Sequence, residues 1–208
     1  TPDDIDRPVI VKFHGAGGGD GYFLAKTKEE CKQKLQAFPG AKYQIQEYII
    51  GVPIYIHYFH SPLTGEVELL GFDKRYETNV DGIGRIGAAD QQAMGVQPSY
   101  TVVGNIPLVV RESLLPEAIK MGKQVVQRSK ELAAPGLFGP FCLEGILTPN
   151  KEFIIFEISA RIVAGTNPYV AGSPYTALRY NEPMSTGRRI AREIKLALEQ
   201  GKMNLVLQ

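Results

Sequence analysis

Apolar and polar positions alternate along this chain in short blocks, and the blocks read mostly as strands. Pro8-Val9-Ile10-Val11-Lys12-Phe13 is brief and β-branched, which predicts a first strand. His14 to Gly21 follows with five glycines in eight residues, a composition that predicts a loop rather than a helix or a stable strand. Tyr22 to Lys26 resumes as a strand. Thr27, with Glu30 three positions on, forms a capping-box signature and opens a short helix to about Ala37. Residues 43–48 alternate as a third strand. Residues 54–60 and 66–74 form a hairpin around Ser61-Pro62-Leu63-Thr64-Gly65. From 75 to 99 the chain is polar and glycine-rich, a long loop of the kind that often carries function.

Tyr100 to Val110 returns to β, and a helix is predicted from Pro116 to Leu132. Residues 140–147 and 152–159 make a second hairpin, and Gly165-Thr166-Asn167 lies in another polar loop. A last helix over 186–199 places Ile190, Ile194 and Leu198 on one stripe. The mixture is α+β, with antiparallel strands prominent.

Composition narrows the function classes. A chain of 208 residues can bury a core without staples, and 44% hydrophobic with 22% charged residues argues against global disorder. The net charge of +1 supplies no overall field for nucleic acid or an anionic membrane, so neither is expected as a partner. No apolar run reaches the ~18 residues of a membrane span. Cys31 and Cys142 fit no metal or redox spacing and read as free thiols of a reducing cytoplasm. Thr1-Pro2-Asp3-Asp4 is not a signal peptide, and without a starter methionine it suggests processing or a piece of a longer chain.

The chemistry concentrates at two places. A strand running into a glycine-rich loop suggests backbone amides around phosphate. The spelling is neither the dinucleotide fingerprint nor the NTPase phosphate loop, because Asp20-Gly21-Tyr22 supplies no Gly-Lys-Ser/Thr and a strand follows. Strand, glycine loop, strand fits instead a β-hairpin flap over nucleotide phosphates, with Lys12 as a phosphate-facing cation and His14 at its base. The second place is the hairpin Phe141–Leu147 and Phe153–Ser159, whose pairing puts Glu144 close to opposite Glu157. Like charges facing each other in apolar strands are unfavourable unless a divalent cation lies between them. Magnesium, held by one or two carboxylates beside substrate phosphates, suits such a pair. The alternatives are a register slip that turns one glutamate to solvent, or Arg161 as a partner. Arg161 could otherwise grip a transferred phosphoryl group with its planar donor fork. His57 and His60, three apart on a strand, face opposite sides and are not expected to share a metal.

Lys12 before a glycine flap, Gln46-Glu47-Tyr48-Ile49 as a strand-end hinge, Glu144, and Glu157-Ile158-Ser159-Ala160-Arg161 resemble the ATP-grasp superfamily. Longer strings narrow the resemblance: Phe72-Asp73-Lys74-Arg75-Tyr76-Glu77-Thr78-Asn79, Gly104-Asn105-Ile106-Pro107, Arg111-Glu112-Ser113-Leu114-Leu115, Gly139-Pro140-Phe141-Cys142-Leu143-Glu144 and Gly165-Thr166-Asn167. Over essentially the whole chain they are similar to the archaeal formate-dependent 5-formaminoimidazole-4-carboxamide ribonucleotide synthetases of purine biosynthesis. The resemblance implies two lobes with largely antiparallel sheets, a small lobe over 1–50 and a large one over 51–208. It implies an ATP-dependent ligase that formylates aminoimidazole carboxamide ribonucleotide with formate, through formyl phosphate. It assigns ATP contacts to Lys12, Gly15, Gly18, Gly19, Glu47, Tyr48, Ile49 and Glu77, and substrate contacts to Asn105, Thr166 and Asn167. Magnesium, or manganese, falls to Glu144 and Glu157, and Arg161 to catalysis.

The family also implies a homo-oligomer and a further N-terminal domain ahead of Thr1. This sequence departs from the family at the flap, where Gly17 and Asp20 stand in place of basic residues. An acidic group near a triphosphate is repulsive. The departure motivates two rival readings: an ATP-grasp carboxylate–amine ligase with another substrate, and a nucleotide-binding paralogue without turnover.

Overall fold

A computed structural model of the protein describes residues 1–17, 20–77, 79–96 and 101–207. Its strands, in chain order, are β1 (Val9–Gly17), β2 (Asp20–Ala25), β3 (Tyr43–Glu47), β4 (Val52–His60), β5 (Val67–Glu77), β6 (Val102–Leu108), β7 (Gly139–Leu147) and β8 (Phe153–Ser159). The helices are α1 (Lys28–Leu35), α2 (Val80–Ile83), α3 (Ala88–Met94), α4 (Leu115–Leu132), α5 (Pro174–Ala177) and α6 (Thr186–Glu199). The chain divides into two units, one of Thr1–Ile50 with Tyr76–Gly104 and one of Gly51–Arg75 with Asn105–Gln208. Residues 76–104 cluster with residues 1–50. This stretch is poor in long apolar side chains, and α3 within it buries none of its residues.

The first unit holds an antiparallel three-stranded sheet in the order β2-β1-β3. Val9, Val11, Ala25 and Cys31 form its buried core, with Phe23 and Ile45 packed against them. Thr27 caps α1 by accepting from the Glu30 amide at 3.2 Å, while the Glu30 carboxylate accepts from the Lys26 amide at 2.8 Å. The box is therefore closed one residue earlier than its spelling suggests. The glycine run departs from its predicted loop. Strand β1 continues to Gly17, which pairs with Asp20, and the register shifts between Lys12 and Gly17. Ladder hydrogen bonds need only backbone, and a positive φ of 85° at Gly15 absorbs the irregularity without a Cβ penalty.

The second sheet has the order β6-β5-β4-β7-β8. One face is apolar. Ile54, Ile56, Tyr58, Phe72, Phe141 and Leu143 meet Ala118 and Val126 of α4 there. Gly122 of the same helix lets the Tyr58 ring approach, since a Cβ at this position would lie 2.6 Å from it. The Tyr58 hydroxyl donates to the Ala118 carbonyl at 2.7 Å and its ring stacks on Phe141 at 4.9 Å. Strand β5 runs on to Glu77, so Arg75, Tyr76 and Glu77 are extended where a loop was expected, and two short helices occupy part of 80–94. Placement between β4 and β6 supplies ladder partners that local sequence does not announce. Among the described residues, no helix is long and apolar enough to cross a membrane.

Helix α6 has the predicted bounds but a different buried face. Thr186, Arg189, Glu193 and Ala197 are buried, while Ile194 and Leu198 are exposed at 43% and 69%. Arg189 makes a forked pair with Glu68, at 2.9 Å from Nη2 and 3.0 Å from Nε, and reaches Glu193 at 2.8 Å from Nη1. Glu193 also accepts from the Ser61 hydroxyl at 2.5 Å. The Arg189 guanidinium lies 4.1 Å from the centre of the Phe59 ring. A buried charge network therefore outranks the apolar stripe in setting the rotation of this helix. Arg189→Ala leaves Glu68 and Glu193 buried without their cation and is expected to cost about 3–5 kcal/mol. Urea unfolding checks this, with Lys195→Ala on the exposed face expected within about 0.5 kcal/mol of the parent.

Candidate active site

Register sets the site in the second unit. Asp73 pairs with Tyr55, Tyr55 with Glu144, and Glu144 with Glu157. Residues aligned across a ladder project to the same face, so these four form one transverse row. A second row runs from His57 through Cys142 to Ser159. This is the face opposite the α4 core, and it carries the polar groups of the sheet. The register shifts just after the Glu144–Glu157 pair, where Glu144 meets Glu157 but Gly145 meets Ile155. The extra residue, Phe156, keeps the two carboxylates opposed while the strand end turns.

Glu144 is buried and Glu157 partly so. The Glu144 carboxylate accepts from the Ser159 hydroxyl at 2.8 Å, and Arg75 Nη2 lies 3.7 Å from the same oxygen. The Arg75 guanidinium stacks 4.0 Å from the centre of the Tyr55 ring. Its Nε is buried and has no hydrogen-bond partner among the described residues. Arg75 thus lies beside the Glu144 carboxylate and retains an unused donor. Facing carboxylates with one oxygen of Glu144 already engaged are hard oxygen donors, a set that fits magnesium or manganese better than a softer metal. Among the described residues no group of three or more His, Cys, Asp or Glu side chains is placed to hold a metal ion.

Asp73 lies in the same row and is fully buried. His57 Nε2 is 2.6 Å from its Oδ1, and Asn105 Nδ2 donates to its Oδ2 at 2.8 Å. Gly165 packs onto this carboxylate so closely that a Cβ there would fall 2.0 Å from Oδ1. The 3-10 turn Ala164–Tyr169 is fastened to β5 and β6. The Tyr169 hydroxyl donates to the Phe72 carbonyl and accepts from the Leu108 amide at 3.1 Å. The fold thereby brings Asn105 and the loop bearing Thr166 and Asn167, far apart in sequence, to one carboxylate. Asn167 is exposed, and Thr166 donates to the Val163 carbonyl at 2.9 Å. Arg161 lies just beyond β8, exposed, with Nη1 donating to the Ile162 carbonyl at 2.9 Å. His60 turns away from this group, with Nδ1 2.6 Å from the Leu137 carbonyl, and burial pulls its pKa down.

In the first unit, Ile10 and Lys12 alternate with the core residues Val9 and Val11, and so point to the face of the sheet away from that core. Lys12 pairs with Tyr22 on one side and Gln44 on the other. His14 is exposed. Glu47 accepts from Arg7 at 3.3 Å, and the Tyr48 amide donates to the Pro8 carbonyl at 2.9 Å, which ties the chain after β3 to the start of β1. Ile49 is partly buried and Glu77 ends β5. Gly18 and Gly19, expected to touch phosphate, lie outside the described residues. Reasoning from sequence did not single out Asp73, Arg75 or His57 as members of the site. Their signal was present: Asp73 and Arg75 alternate with Phe72 in a strand whose other face is apolar.

Comparison with known proteins places this architecture. Residues 23–208 match the family described as Domain of unknown function (DUF1297). The chain belongs to this family. It is 60% identical over 213 residues to the 5-formaminoimidazole-4-carboxamide-1-(beta)-D-ribofuranosyl 5'-monophosphate synthetase of Pyrococcus horikoshii, covering 99% of this chain and 64% of that protein. The crystal structure of an IMP biosynthesis protein PurP from Thermococcus kodakaraensis superposes with a TM-score of 0.71 at 31% identity, covering 99% of this chain and 60% of that one. The ADP complex of an N5-carboxyaminoimidazole ribonucleotide synthetase superposes with a TM-score of 0.60 at 14% identity, covering 92% and 42%, a likeness of fold alone. The fold is that of the ATP-grasp proteins. The chain spans somewhat over three-fifths of the length of the curated relatives it matches.

Gly165→Ala forces a methyl group into the Asp73 carboxylate and is expected to lower stability by about 1–3 kcal/mol, read as a fall in Tm. Cys142 is buried beneath the same face, and desolvation, with the Glu144 and Asp73 charges, pushes its thiol well above the ordinary range. Alkylation requires thiolate, so folded protein at about pH 9 is expected to leave Cys142 unlabelled by iodoacetamide, whereas unfolded protein labels fully.

Proposed function

We propose that this chain forms the ATP-grasp part of a formate-dependent ligase of purine biosynthesis, which formylates the 5-amino group of aminoimidazole carboxamide ribonucleotide. The observation that carries the reading is the opposed pair Glu144 and Glu157 on the polar face of the five-stranded sheet. The likeness to curated synthetases over nearly the whole chain supports it. Formate is a poor acyl donor because oxide leaves badly. A formate oxygen attacks the γ-phosphorus of ATP and ADP departs. The amine then attacks the formyl carbon, loses a proton and expels phosphate.

In this reading Glu144 and Glu157 hold Mg2+, with Mn2+ as a substitute. Bound there, the ion offsets negative charge on the phosphate oxygens. Ser159 fixes the Glu144 carboxylate by donating to it, and Arg75 limits the repulsion between the two carboxylates. Lys12, Gly15, Gly18 and Gly19 take the phosphates, with Glu47, Tyr48, Ile49 and Glu77 at the rest of the nucleotide. Asn105, Thr166 and Asn167 meet the ribonucleotide, and Arg161 grips the phosphoryl group in transfer. The protein would work in the cytoplasm, as a homo-oligomer.

Calorimetric titration of the chain with ATP, with and without Mg2+, tests the nucleotide site, and magnesium-dependent binding is expected. Glu157→Gln removes one charge at nearly constant shape and should weaken Mg·ATP binding by about tenfold or more. Equal affinity in variant and parent removes Glu157 from the metal site. For the acceptor, ADP release by the full-length protein should rise with formate and the ribonucleotide together. Stimulation by another acid but not by formate gives the substrate assignment to a different carboxylate–amine ligase.

A further inference from the structure

The buried carboxylate of Asp73 has two donors and two oxygens. His57 Nε2 lies on Oδ1 at 2.6 Å and Asn105 Nδ2 on Oδ2 at 2.8 Å. An ionised carboxylate only accepts, so each partner must present an N–H to it. For Asn105 this settles which way the amide points. Its NH2 is turned to Asp73, and its carbonyl oxygen Oδ1 is left for whatever approaches this part-buried side chain. An asparagine on its own could offer either a donor or an acceptor by turning over. Here a rotation of 180° would set Oδ1 against the Asp73 carboxylate, acceptor against acceptor, in a buried position where the repulsion is not screened.

We infer that Asp73 is a positioning residue that locks Asn105 as a hydrogen-bond acceptor, so that this site selects a ligand group carrying an N–H, an amine or primary amide, over one carrying only acceptors. The inference rests on the reading above for its ligand, and it adds an orientation and a selectivity that the reading does not contain. His57 completes the device. By holding Oδ1, it keeps the carboxylate plane from rotating away from Asn105. Gly165 serves the same end by packing directly on Asp73, since any side chain there would displace it. A polar group fixed as an acceptor discriminates strongly, because a ligand without the matching donor leaves that oxygen desolvated and unpaired.

Two measurements decide the matter. The first needs no ligand. The side-chain amide of Asn105, identified in 15N-labelled protein by its absence in Asn105→Ala, should show one proton shifted downfield and protected from exchange. Asp73→Asn should abolish that signature. An Asn105 resonance that is unchanged in Asp73→Asn overturns the positioning role, whatever the ligand is.

The second measurement uses aminoimidazole carboxamide ribonucleotide and two analogues, one with the carboxamide replaced by a methyl ester and one with the 5-amino group replaced by hydrogen. The parent protein is expected to bind at least one analogue about tenfold or more weakly. In Asp73→Asn that discrimination should collapse, with KM rising more than kcat falls in the full-length enzyme. In an Asn105→Ala background Asp73→Asn should add no further loss, because one acts through the other. Additive losses, or discrimination retained in Asp73→Asn, overturn the selectivity. If the ribonucleotide fails to bind the full-length parent protein, the substrate reading fails and the amide measurement still decides whether Asp73 locks Asn105. Thermal unfolding identifies any variant that has simply lost its fold, and Asp73→Ser, which removes the carboxylate with less bulk, then takes the place of Asp73→Asn.

Discussion

A sheet that buries carboxylates on one face can persist only while each keeps donors within reach. Asp73 and Glu144 lie there, aligned in one row of the five-stranded sheet. Desolvating an ionised carboxylate without partners costs several kcal/mol, a large fraction of the stability of a domain this size. Asp73 meets the requirement with His57 and Asn105, and Glu144 with Ser159 and the neighbouring Arg75. Each donor comes from a different strand. The polar face can therefore be assembled only after β4, β5, β6, β7 and β8 have their register, and a one-residue slip in any of them would scatter it.

The opposite face explains why that register holds. Ile54, Ile56, Phe72, Phe141 and Leu143 lock into α4 through large apolar contacts, and Gly122 permits the close approach of Tyr58. Apolar burial supplies most of the stabilisation, and the chemical face takes its geometry from it. The segment from Ala164 to Ala177 then fastens over β5. Tyr169, Ser173 and Tyr175 hydrogen-bond to the backbone of β5 or to that at 108–110, which fixes where Gly165 meets Asp73. The supports of the site are strands and side-chain hydrogen bonds to their backbone.

Arg189 shows the same logic away from the site. Its pairs with Glu68 and Glu193, beside the Phe59 ring, replace apolar packing under α6. A fully partnered network of this kind specifies one rotation of the helix, which an aliphatic stripe alone would leave looser. The exposed Ile194 and Leu198 follow from that choice.

The sequence by itself determined the alternation of strands and helices, the hairpin that opposes Glu144 to Glu157, and the extent of α6, because those depend on local periodicity and turn chemistry. It did not reveal that β1 extends into the glycine run, that β5 reaches Glu77, or that α6 buries an arginine, since each depends on partners distant along the chain. The tertiary structure alone decided the grouping of His57, Asp73, Arg75 and Asn105. Their strands become neighbours through register, and a charge inside an apolar strand signals a polar face without saying which residues will meet on it.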